Sequence, residues 1–227
     1  MADTARRRSA ADETGRYAVL HPAIAEAAHR AGATAIGLID VGRTAALNLC
    51  VDRVGITYSD GVFLGDPDSP VQESCSIVHG GSVPERAMPP VVARAAVTRH
   101  RPGVEDALLA EDSPVRFCGD LVDLLPDAIA AVPEGALPVV TTTWALSRLA
   151  IPRRPSFVDR LREAAAGRTV AWVSAEGVGV APSVPTLGDR PASGHSIVGI
   201  ALYEGAEHRV DAVARCWSRG RILDWFH

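Results

Sequence analysis

The sequence predicts an α/β protein built on a doubly wound sheet that ends in antiparallel strands. Three observations carry this expectation. Strand-like and helix-like segments alternate along most of the chain. The stretch "AIGLIDVGRTAALNL", Ala35 to Leu49, passes from a small apolar strand through a glycine turn into a helix start. The last segments, "SIVGIALYEG" and "EHRVDAVARCWSRGRILDW", alternate as antiparallel strands do. In a sheet of this kind, ligands bind outside the carboxyl ends of the strands.

The elements follow in order. Residues 1–16 form a polar leader whose Arg6-Arg7-Arg8 run reads as a solvated tail rather than a binding arm, which leaves residues 17–227 as a single domain. From Tyr17 to Ala31 small apolar residues recur at helical spacing, with Pro22 expected in the first turn, where a missing N–H is harmless. Thr34 to Ile39 is the first strand, Asp40 closes it, Gly42 makes the turn, and a helix begins at Thr44 or Ala45. Residues 52–90 differ: β-formers broken by Asp-Gly, Gly-Asp-Pro and Gly-Gly read as a β-hairpin insertion of one or two hairpins. The α/β rhythm then returns, with strands at Val91 to Val97 and Val115 to Asp120 and a helix between them over Gly103 to Glu111. A helix interrupted at Pro126 comes next, then the buried-type strand "ALPVVTTTWA", a helix stopping at Gly167 and the strand "RTVAWVSAEG".

Composition removes whole classes of function. At 227 residues and 47% hydrophobic, the chain can close a sizeable core. A net charge of -4 and a pI near 6.0 leave no electrostatic footprint for nucleic acid or an anionic membrane. All 23 basic residues are Arg, which excludes a Schiff-base lysine, a pyridoxal phosphate anchor and a Walker-type phosphate lysine. The four cysteines are widely spaced with no C-x-x-C, and the opening residues lack the apolar core of a signal peptide, so a reducing cytoplasm is expected. The seven histidines form neither H-E-x-x-H nor H-x-H, so no metal site is expected. No apolar run approaches the roughly 18 residues of a membrane helix.

With "LIDVGRTAALNL", "SPV" (Ser69 to Val71), "RAAV" (Arg94 to Val97), Gly119-Asp120 and "WVSAEG" (Trp172 to Gly177), the chain resembles the prokaryotic domain of unknown function family 2332. The resemblance spans residues 17–227 and lacks the family's helical N-terminal portion. It implies a Rossmann-like fold similar to class I S-adenosylmethionine methyltransferases. In that pattern Asp40, Gly42, Thr44 and Ala46 stand where an acid and three alternating glycines would, so two glycines have acquired side chains. Where an acid would take the ribose hydroxyls the chain reads Thr98-Arg99-His100-Arg101, while Asp120 keeps the position that contacts adenine. The expectation is therefore no cofactor, with S-adenosylmethionine as the alternative.

The candidate site residues follow from these positions. Arg43 beside a helix N-terminus, with Arg99, His100 and Arg101 at the neighbouring strand end, would make an anion pocket. The alternative is that these groups are solvated or pair with Asp40, Glu105 and Asp106. Thr141, Thr142, Thr143 and Trp144 end the fourth parallel strand, where three hydroxyls in series would bind polar ligand atoms, though Thr is also simply a β-former. Asn48 takes part in the site or packs against the insertion. Glu176 is a general base or a helix-start acid. His195 and His208 read as ordinary loop residues, and Trp172, Trp217 and Trp225 as core. Together these describe a small-molecule enzyme, of the kind found in bacterial secondary metabolism, that grips an anionic substrate and promotes loss of sulfate or phosphate. In outline this is similar to the aziridine-forming proteins of azinomycin-type biosynthesis. A methyltransferase and a non-catalytic scaffold subunit are the alternatives. Six apolar residues of the insertion, Val62, Phe63, Leu64, Val71, Ile77 and Val78, exceed what a small hairpin needs and suggest a homo- or hetero-oligomer; the alternative is a monomer.

Overall fold

The computed structural model describes residues 16–42, 48–98 and 113–226. Arg43, Thr44, Arg99, His100, Arg101, nearly all of the leader and the helix expected over Gly103 to Glu111 lie outside the described residues. Among those described, eleven strands join in one mixed sheet, with helices against both of its faces.

Five strands form the parallel half: β1 (Ile36–Val41), β5 (Val91–Thr98), β6 (Val115–Cys118), β7 (Leu137–Thr143) and β8 (Val170–Gly177). Their spatial order is β6-β5-β1-β7-β8. β1 is central, the next two of these strands step away on one side, and the last two step away on the other. The chain thus switches direction between β1 and β7, and the carboxyl ends of all five share one edge. Beyond β8 lie β9 (Ser196–Glu204), β10 (Glu207–Trp217) and β11 (Ile222–Trp225), all paired antiparallel as their alternation predicts.

The segment 52–90 holds the hairpin expected of it, β2 (Gly55–Tyr58) with β3 (Phe63–Gly65), turning at Asp60-Gly61. It is not a free-standing insertion, because β4 (Gln72–Ile77) runs parallel to β2 and pairs Ser76 and Ile77 with Ile222 and Leu223 of β11. Hydrogen bonding to β11 makes the segment the far wing of the main sheet. Leu64 is buried and Val62 and Ile77 pack against the core, so of the six apolar residues only Phe63 and Val71, 41% and 46% exposed, face water.

Helix α1 (Arg16–Arg30) lies on one face, where small residues such as Ala23, Ala27 and Ala28 let it settle onto Leu38, Val139, Val173 and Ile200. It starts early enough that Pro22 falls in its interior rather than its first turn. A proline there withholds the N–H that Ala18 C=O would accept. The Tyr58 hydroxyl donates to that carbonyl instead, at 2.7 Å, which is why an interior proline is tolerated and why the β2 wing is pinned to α1. On the other face, α2 (Leu125–Ala130) begins where its proline allows, with Pro126 in the first turn rather than mid-helix. α3 (Arg153–Ala164) buries Phe157, Val158 and Leu161, and the Phe157 ring meets Trp172 at 5.5 Å between centroids.

Candidate active site at the switch-point edge

Side chains alternate along a strand, so the carboxyl-end edge has two distinct polar clusters, one on each face. Asp40 shares the α1 face with Leu38; Glu176 shares the opposite face with Trp172.

On the α1 face, Asp40 is fully enclosed. Thr141, directly opposite it on β7, donates its hydroxyl to Oδ1 at 2.6 Å. Asn48 Nδ2 donates to Oδ2 at 2.9 Å and also to Thr143 Oγ1 at 2.9 Å. Burial pushes the Asp40 carboxyl up to about 7, against the opposing pull of the two hydrogen bonds and of the Arg16 guanidinium. A carboxyl with that affinity for a proton exchanges it near neutral pH, which is what a general base requires.

The backbone beside this cluster is strained. Trp144, immediately after β7, takes φ 50°, a left-handed conformation rare for a bulky residue. Several contacts hold it there. Its amide donates to Ala175 C=O, its Nε1 donates to Ser196 Oγ at 2.8 Å, and Arg16 lies over its ring at 5.4 Å. From the opposite face, Glu176 Oε1 accepts the next two amides, Ala145 at 2.8 Å and Leu146 at 3.0 Å. Gly42, at φ 152°, closes the gap, since a Cβ there would stand 3.3 Å from that of Ala145. Strain of this kind persists only where the surroundings over-determine it, and it gathers at functional sites.

Glu176 is likewise enclosed, and burial pushes it up to about 7. Its partners are main-chain amides, however, and its Oε2, like Ser174 Oγ two residues earlier on the same face, is buried without a hydrogen bond. Thr142 joins this face too, accepting from Trp172 Nε1 at 3.1 Å.

The sequence-derived residues therefore separate. Asp40, Asn48, Thr143 and Trp144 come together; Glu176 and Thr142 lie behind them; Gly42 spaces the two strand exits. Asp120 is engaged elsewhere, accepting from Val122 N, Asp123 N and Arg153 at the turn after β6. Thr141, the first of the three hydroxyls expected at this strand end, shares a face with Thr143 because side chains alternate, whereas Arg16, at the end of a polar leader, carries no signal in the sequence. His195 lies in a loop as expected, where its ring pairs with Asp189 at 2.9 Å, beside Arg215 and against the half-buried Trp217, whereas His208, also expected in a loop, falls within β10. Trp172 and Trp225 are buried as expected. Among the described residues no three His, Cys, Asp or Glu side chains are grouped to hold a metal, and no helix is long and apolar enough to cross a membrane.

Fold and edge together define a mixed α/β protein with a buried acid at the switch point of its parallel strands. The chain belongs to the family of uncharacterized proteins conserved in bacteria termed DUF2332, whose match covers residues 1–108 and 99–225 and so begins at residue 1 rather than at 17 as the resemblance implies. No curated protein and no solved structure matches it.

Proposed function

We propose that this chain is a small-molecule enzyme on a methyltransferase-like sheet in which Asp40 is the general base and the substrate is an anion. The observation that carries the reading is the enclosed Asp40 carboxyl, held by Thr141 and Asn48 at the switch point and raised to about 7. In the reaction proposed, Asp40 takes a proton from an amine or hydroxyl of the substrate. The freed electron pair makes a new bond to carbon as the C–O bond to sulfate or phosphate breaks, and the departing oxyanion carries away the electrons. Arg16 is a cation on this edge whose charge is felt at Asp40, and the sequence reading expects Arg43 and Arg99 to Arg101 at the same edge.

The residues present fit S-adenosylmethionine poorly. β5 ends in Thr98 rather than an acid for the ribose, and the carboxylate of Asp120 is already bonded to Arg153 and two amides. A methyltransferase remains the competing reading because the order of the five parallel strands suits one. Calorimetric titration separates the two. Saturable binding of sulfate or phosphate, with none of S-adenosylmethionine, is the expected result; micromolar binding of S-adenosylmethionine would replace this reading with the methyltransferase.

A further inference from the structure

At the opposite edge of the sheet, α1, the β2–β3 hairpin and residues 85–91 border an open pocket, lined among others by His21, Asp52, Phe63, Asp66, Glu85 and Met88. Val91, also in its wall, pairs with Ile36 at the start of β1, four residues before Asp40, so this wall lies roughly 13 Å along the strand from the Asp40 cluster.

The charges around it do not cancel. Asp52 is neutralised by Arg94, which holds both its oxygens at 2.9 and 2.7 Å. Arg86 is taken by Glu26 at 2.6 Å. That leaves two wall carboxylates with no cation among the described residues: Asp66, which only caps the Asp68 amide, and Glu85. An uncompensated pair of carboxylates is by itself an ordinary solvated surface. Here it shares the pocket wall with apolar side chains, Leu64, Met88 and Pro89, and with the Phe63 ring, which is 41% exposed. His21 also lines this pocket. Only 4% exposed, it carries a buried Nδ1 with no hydrogen-bond partner. Burial pulls its imidazole down to about 4, so at neutral pH it adds no positive charge and offers a neutral donor and acceptor. Apolar walls, a few convergent polar groups and a single sign of uncompensated charge are the attributes of a small-molecule site.

We propose that this pocket binds an organic cation, a primary ammonium on an aromatic or aliphatic body. The ammonium lies against Asp66 and Glu85, where the Phe63 ring face adds cation–π attraction, and the body fills the space between Leu64, Met88 and His21. The proposal does not depend on the reaction assigned to Asp40.

The test is calorimetric titration of the full chain with 2-phenylethylamine, alongside its uncharged counterpart 2-phenylethanol and the anionic 3-phenylpropionate. The expected result is saturable binding of the amine, the alcohol at least tenfold weaker and the acid without binding. The double variant Asp66→Asn, Glu85→Gln, whose changes are at exposed positions that leave the fold intact, should weaken the amine about tenfold while leaving the alcohol unchanged. Equal binding of amine and alcohol, an unchanged affinity in the double variant, or no saturation by the amine would each overturn the proposal.

Discussion

Asp40 and Glu176 are the two buried acids of one sheet edge, both pushed to about 7 by burial, yet the strand alternation that sends them to opposite faces gives them different work. Asp40 is held chiefly by side chains, Thr141 and Asn48, with one main-chain contact from its neighbour Val41. Glu176 is held by the main chain itself, accepting the Ala145 and Leu146 amides that fix the turn around Trp144. A raised proton affinity alone therefore does not identify a base. What a carboxyl is bonded to separates a reactive group from a brace.

The largest expected effect is on the brace. Glu176→Ala should destabilise the fold by about 2 to 4 kcal/mol, because two buried amides lose their acceptor, while Glu176→Gln, which keeps an oxygen there, should stay close to the parent. Urea unfolding of the two variants checks this; similar losses in both would mean that the charge, not the acceptor, matters. The effect on Asp40 is smaller and depends on pH. A carboxyl raised in the folded state binds a proton that the unfolded chain has already released, so its contribution to stability is present below about pH 4 and is lost as pH rises through about 7. Asp40→Asn removes that loss. Relative to the parent, the variant should gain about 2 kcal/mol between pH 5 and pH 8, measured by denaturant unfolding at both values. A constant difference between the proteins would show that Asp40 titrates normally.

Smaller still is Thr141→Val, expected to lower stability by about 1 kcal/mol and to raise the Asp40 midpoint further, since the hydroxyl favours the ionised form. The same change at Thr142, whose hydroxyl meets only Trp172, should leave that midpoint unmoved. Least of all, Arg153→Ala should shift the thermal midpoint hardly at all, because its bonds to Asp120 and Asp123 lie at the surface. A large shift there would mean that the turn after β6 depends on the ion pair.

Strand and helix identity were legible in the sequence because period two and helical spacing survive in short segments such as Leu137–Thr143 and Arg153–Ala164. The pairing of β4 with β11, more than a hundred residues apart in the chain, was not, since local pattern carries no information on which edges meet. Pro22 was misplaced for a related reason: the Tyr58 hydroxyl that compensates for it comes from another part of the chain. At the site, Asp40, Asn48 and Thr143 could be read from their place after parallel strands. The sequence leaves Glu176 open between a base and a helix-start acid, because a lone acid at a strand end shows neither its face nor its partners, and those are what separate it from Asp40.

The Asp40 carboxyl ¹³C shift, followed by NMR from pH 3 to pH 9 with Asp40→Asn identifying the signal, reports on the base itself. The expected midpoint is near 7, rising in Thr141→Val. A midpoint at or below about 4, the ordinary aspartate value, would contradict it and leave the edge without its base.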